Sequence, residues 1–125
     1  MLDGTKIIAF VPTTNADRAR AFYEGVLELR FVKDDGFAHV YDASGNMVRV
    51  AKAPDFKPAK FTILGWQVSN IGVVAERLDK RGVRFERFGL PGQDERGVWT
   101  APNGDKVAWF KDPDGNILSI SEHVS

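Results

Sequence analysis

The sequence predicts an α+β fold made of two βαβββ units in tandem, and two observations carry that expectation. The first is a repeated corner. Asp112-Pro113-Asp114-Gly115-Asn116-Ile117-Leu118-Ser119-Ile120 obeys the same rule as Asp42-Ala43-Ser44-Gly45-Asn46-Met47-Val48-Arg49-Val50, namely D-x-[SD]-G-N-[MI]-[VL]-x-[VI], with position 42 recurring at position 112. Such self-similarity marks a duplicated structural unit. The second observation is that each corner is preceded by the same succession of strand-like and helix-like periodicities.

In the first half, Lys6 to Val11 is a near-continuous apolar run that reads as a buried strand. Thr13-Thr14-Asn15 supplies helix N-cap candidates and Asp17 an acidic first turn. Ala16, Ala19, Phe22, Tyr23, Val26 and Leu27 then fall on one helical face. Leu29 to Lys33 and Phe37 to Tyr41 read as strands joined by a turn at Asp35-Gly36. After the first corner, Met47 to Ala51 is the fourth strand.

Residues 54–60 have linker composition. The pattern then restarts: Phe61 to Val68 is a strand, Asn70 caps a helix with Ile71, Val74, Ala75 and Leu78 on one face, and Gly82 ends it. Val83 to Phe88 reads as the counterpart of the second strand, with Arg84-Phe85 answering Arg30-Phe31. A stretch rich in Gly and Pro, 89–97, is an insertion that reads as a lid or as a plain loop. Lys106 to Lys111 and Asn116 to Ser121, the first entered through an Asn103-Gly104 turn, are the last two strands. The expected organisation is one domain, 1–125, of two repeats (about 5–53 and 61–123) joined by the linker 54–60.

Composition narrows the functional classes. Lys and Arg total 17, as do Asp and Glu, so no electrostatic footprint for nucleic acid or an anionic membrane exists. There is no long apolar run and no secretory signal pattern, and the expectation is a cytoplasmic protein. Without cysteine there is neither a thiol nucleophile nor a thiolate metal site. The two histidines, His39 and His123, are the only imidazoles.

Asn15-Ala16-Asp17-Arg18-Ala19-Arg20-Ala21-Phe22-Tyr23 and Trp109-Phe110-Lys111-Asp112-Pro113-Asp114-Gly115-Asn116-Ile117-Leu118, set in tandem βαβββ units, resemble the vicinal oxygen chelate superfamily. That superfamily includes glyoxalase I, extradiol dioxygenases and the bleomycin and fosfomycin resistance proteins. The resemblance covers nearly the whole chain. It implies a curved mixed sheet around a cleft, and a homodimer. It also implies metal ligands, His or Glu, on the first and last strands of each unit. Carried over by the family's spacing, those positions hold Ile8, Arg49, Ile63 and Ser119. No His, Asp or Glu lies within two residues of any of them, so a one-residue slip restores no site. A divalent ion takes about three protein ligands and is repelled by a guanidinium. The expectation is that no metal and no other cofactor is bound.

The remaining cleft candidates follow from alternation along the strands. Phe10 accompanies Ile8, Gln67 accompanies Ile63, and Ser121 accompanies Ser119. The family's spacing of ten residues before the last-strand position selects His39 and Trp109. Arg49 reads as a fork for a carboxylate, phosphate or carbonyl, or as the ion-pair partner of Asp42 or Glu86. His39 reads as a proton carrier or as an ordinary strand histidine. Ser119 and Ser121 show no His-Asp system at a recognisable spacing, and Glu122-His123 reads as a frayed surface pair. Two functions are expected in competition. One is a metal-independent binder of a small aromatic or amphipathic molecule. The other is a lyase or isomerase in which Arg49 polarises a substrate oxyanion and His39 moves a proton.

Overall fold

The computed structural model describes residues 1–124, and the chain divides into two compact units, Met1–Lys57 and Pro58–Ser125. In the first, β1 (Ile8–Thr13), α1 (Ala16–Arg20), β2 (Arg30–Asp34), β3 (Ala38–Ala43) and β4 (Asn46–Lys52) form a sheet of order β1-β4-β3-β2 with α1 against β3 and β4. β1 runs parallel to β4, and the other neighbours are antiparallel. In the second, β5 (Thr62–Gln67), α2 (Ile71–Lys80), β6 (Trp99–Thr100), β7 (Lys106–Lys111) and β8 (Ile117–Glu122) repeat the scheme as β5-β8-β7-β6. The α+β architecture, with a βαβββ succession in each unit, follows the sequence expectation.

Each sheet buries one face under its helix. In the first unit Val11, Thr13, Tyr41, Val48 and Val50 stand on that face, where Tyr41 meets Tyr23 of the helical segment at 6.1 Å between ring centroids. In the second, Ala108, Phe110, Leu118 and Ile120 do the same, with α2 against β7 and β8. Both helices begin at an asparagine whose side chain accepts a backbone N–H: Arg18 N donates to Asn15, and Val73 N to Asn70. The duplicated caps do the same work in each half.

Three expectations are corrected in detail. The first helix is not uniform: after Arg20 it widens into a π-helical stretch, Ala21–Val26, closed by Leu27 N–H donating to the Phe22 carbonyl five residues back. The hairpin turn sits one residue later than Asp35-Gly36, because the Asp35 carboxylate accepts the N–H groups of Phe37 and Ala38 and draws the chain round itself. Val83 to Phe88 makes one bridge, Phe85 with Phe110, instead of a strand. Phe88 and Gly89 both turn to positive φ (48° and 67°), leading the chain off the sheet edge. The short β6, just after the inserted segment, pairs with β7 at that edge.

Candidate functional site

In the first sheet, the register decides which candidates share a face. Directly opposed residues point the same way, so Ile8 with Met47 and Phe10 with Arg49 stand together on the face away from the helix. Three large apolar side chains are left open there, with Ile8 48%, Phe10 68% and Met47 38% exposed. Arg49 rises among them and is clamped by neither expected partner. Its Nη2 donates to Asp35 Oδ2 at 2.8 Å, and both side chains are largely covered. The Asp35 carboxyl is held down at about 2, chiefly by the N–H groups of Ala38 and Phe37 and then by the Arg49 guanidinium. The pair is therefore ionised on both sides. Asp35 was missed as a site residue because the turn position in which it sits reads as purely structural.

His39 does not join this group. Its cross-strand partner is Val50, while Arg49 opposes Val40, so the two candidate catalytic side chains stand on opposite faces. His39 is buried on the helix side, its ring edge against Phe31 at 5.4 Å. Nε2 lies 3.5 Å from an Asp34 oxygen, and Nδ1 has no partner among the described residues. The expectation that both line one face is overturned. The reason is one residue of strand register.

In the second sheet the register sets the candidates side by side. Ser119 opposes Gly65 on one side and Trp109 on the other, and Ser121 opposes Gln67 and Val107. All of these share the face away from α2. Ile63 is the extra residue in a bulge between Thr62 and Leu64, so it has no opposite number on β8. Trp109 sits within an aromatic cluster, 5.7 Å from Phe88 and 6.2 Å from Trp99 between centroids. Gly65 is bare for a reason: a Cβ there would lie 2.6 Å from Ser119 Oγ.

Glu122 and His123 are anchored rather than frayed. Glu122 Oε1 accepts the Ile71 N–H at the start of α2, at 2.9 Å. His123 bridges Asp105 Oδ2 (Nδ1, 3.0 Å) and Ser121 Oγ (Nε2, 2.9 Å). Val124 N–H donates to the other Asp105 oxygen, and these bonds hold that carboxyl below its usual range. The segment 89–97 is stitched internally: Asp94 Oδ1 accepts from the backbone of Arg96, Gly97 and Val98, and the Arg87 guanidinium donates to the carbonyls of Asp94 and Glu95. A polar cavity of about 510 Å³ lined by Asp79, Phe85, Asp94, Glu95 and Arg96 opens beside it, and none of the candidate residues lines it.

The donor set at the four positions where the family resemblance implies ligands does not fit a metal ion. Ile8 and Ile63 have no donor atom, Arg49 is a cation, and Ser119 offers one neutral hydroxyl. Among the described residues no three His, Cys, Asp or Glu side chains converge on a point.

The family profile described as Glyoxalase/Bleomycin resistance protein/Dioxygenase superfamily matches residues 7–120. Among solved structures, a superfamily member from Sphaerobacter thermophilus aligns at a TM-score of 0.77 and 21% identity, covering 98% of this chain and 100% of that one. A glyoxalase/bleomycin resistance protein/dioxygenase from Alicyclobacillus acidocaldarius aligns at 0.76 and 14%, covering 98% and 93%. A lactoylglutathione lyase from Agrobacterium tumefaciens aligns at 0.71 and 19%, covering 95% and 93%. At such identities the likeness shows the fold. No match is found among curated proteins.

Proposed function

The chain belongs to the glyoxalase/bleomycin resistance protein/dioxygenase superfamily, and from that premise we propose that it binds a small aromatic or amphipathic molecule without a metal ion. One observation carries the reading. Arg49 stands on a sheet face among the exposed Ile8, Phe10 and Met47, and it and Ile8 occupy positions where the family resemblance implies metal ligands. Exposed apolar side chains grouped around one oriented polar group are the usual makings of a small-molecule site. Asp35 occupies one edge of the guanidinium and leaves other N–H donors for a carboxylate, phenolate or carbonyl oxygen. In the second unit, Trp109, Gln67, Ser119 and Ser121 stand on one face of their own sheet, an aromatic side chain beside three polar ones. A homodimer is the assembly that the family resemblance implies.

The competing enzyme reading asks one substrate to meet both Arg49 and His39. Their opposite facing removes its support.

The test uses 8-anilinonaphthalene-1-sulfonate, an aromatic anion whose fluorescence rises in apolar sites. Saturable one-to-one binding, indifferent to a chelator and to added Zn²⁺ or Ni²⁺, is the expected result. Arg49→Met and Phe10→Ser should each weaken it about tenfold, which corresponds to about 1.4 kcal/mol. Binding that appears only with added metal, or that both variants leave unchanged, overturns the proposal.

A further inference from the structure

We propose that Ser121, His123 and Asp105 form a serine-nucleophile site that hydrolyses small esters carrying an apolar or aryl group. The arrangement grows from strand geometry. Ser121 and His123 are two residues apart and so project from the same side of β8 and its continuation. The register that opposes Lys106 to Glu122 brings Asp105, one residue earlier, across from His123, one residue later. The result is a carboxylate 3.0 Å from Nδ1 and a hydroxyl 2.9 Å from Nε2 of one imidazole. Both distances lie in the range of an activated nucleophile and its base, and such a constellation is recognised by geometry rather than chain order.

The polarity of the array is fixed by its acid end. An ionised carboxylate only accepts, so Nδ1 carries the proton and Nε2 is left to accept from Ser121 O–H. Asp105 is kept ionised by the Val124 N–H and then by His123 itself. Around Ser121 the same face supplies the other parts of an acyl-transfer site. Gln67 stands directly across on β5, and its side-chain amide makes no hydrogen bond among the described residues, leaving a donor for a developing oxyanion. Val107 opposes Ser121 on β7, and Trp99 opposes Val107, which gives an apolar wall for the acyl or aryl group.

The chemistry balances with water as the only co-reactant. Ser121 Oγ attacks the ester carbonyl carbon while its proton passes to His123 Nε2. The tetrahedral adduct collapses, the bond to the alkoxide leaving group breaks, and His123 returns the proton to that oxygen. A water then repeats the sequence on the acyl-serine: its proton goes to Nε2, the Oγ–acyl bond breaks, and Ser121 regains its proton as the carboxylic acid leaves. Asp105 is a positioning residue, holding the tautomer.

The experiment treats the full chain with a fluorophosphonate probe and with p-nitrophenyl butyrate. A single covalent adduct mapped to Ser121, together with turnover of the ester, is expected. Ser121→Ala should abolish the adduct, and His123→Gln should slow labelling by about 10²–10⁴-fold, the usual worth of a general base. Asp105→Asn should both slow the reaction and displace the midpoint of its pH–rate profile, which a merely structural role would leave in place. The two readings fail separately, because labelling of Ser121 reports on this proposal alone and binding of the anilinonaphthalene probe reports on the other. No adduct on the folded wild type, an adduct that persists in Ser121→Ala, or an unchanged rate in His123→Gln overturns the proposal.

Discussion

Arg49 and Asp35 are held 2.8 Å apart, tying a central strand to the hairpin turn of its neighbours. The same carboxylate accepts two turn N–H groups, so one side chain both shapes the turn and orients the guanidinium. The sign of its pH dependence follows. A carboxyl lowered from 3.8 to about 2 favours the folded state above its unfolded value and loses that contribution as pH falls through the folded one. The stability advantage of the wild type over Asp35→Asn should therefore be full at neutral pH, shrink as pH falls below about 4 and be lost only below about pH 2. Urea denaturation of the two proteins across that range measures it. An advantage independent of pH would show that the charge of Asp35 is immaterial.

His39 yields a different kind of prediction, because its burial and its orphaned Nδ1 act in opposite directions. Truncation to Ala removes a packed ring beside Phe31 and should cost roughly 1–3 kcal/mol. Replacement by Phe keeps the ring, removes an unsatisfied polar atom and gives up only a contact to an exposed carboxylate. His39→Phe should therefore match or exceed the wild type in urea stability, and binding of the anilinonaphthalene probe should be unaffected. Loss of probe binding in a stable His39→Phe protein would restore His39 to the site.

The fate of His39 also shows how far the sequence could be read. The duplicated corner correctly announced two βαβββ units, because turn chemistry and alternation are local properties. What the shared motif hid is that its two copies close differently. Ser44 and Gly45, with φ of 53° and 88°, form a two-residue turn between the paired Ala43 and Asn46. In the second copy Asp112 folds inward, its carboxylate accepting from the backbone of Asp114 and Asn116 and from the Asn116 amide, and the flanking pair is Lys111 with Ile117. The loop lengths differ in parity. Ten residues back from Ser119 therefore reaches its cross-strand partner Trp109, while ten back from Arg49 reaches the wrong face. A one-residue change in register flips every side chain, and nothing in the common motif records it. The Asp105–His123–Ser121 array was illegible for a related reason: its spacing is that of paired strands and not of a local motif.

The two helix caps offer a quantitative test of the duplication. Asn15→Ala and Asn70→Ala each leave a first-turn N–H without its acceptor and should cost about 1 kcal/mol. The second helix has additional support, since Glu122 accepts the Ile71 N–H and places negative charge at the positive end of the helix. Glu122→Ala should destabilise by a similar amount, about 1 kcal/mol, and Glu122→Gln by a few tenths. Because Asn70 and Glu122 serve one helix end, the double variant should depart from additivity, whereas Asn15 combined with Glu122 should add. A complete denaturation cycle distinguishes the two cases.

Two glycines that look equally confined should respond in opposite ways. At Gly65 an added Cβ would lie 2.6 Å from Ser119 Oγ, a closer approach than the 2.9 Å between a Cβ at Gly97 and Phe85 Cβ. Distance alone would rank Gly65→Ala as the worse substitution. The obstructing atom at Gly65, however, is the end of a serine side chain that can move to another staggered rotamer. At Gly97 the obstruction is a Cβ fixed to the backbone, and φ is +112°, a region that L side chains rarely adopt. Gly97→Ala should therefore destabilise by about 1–3 kcal/mol, and Gly65→Ala by less than about 1 kcal/mol. The cost at Gly97 should appear first in the segment it anchors, as accelerated hydrogen exchange at Val98 and Trp99, and the Gly65 variant should instead leave exchange unchanged while displacing Ser119.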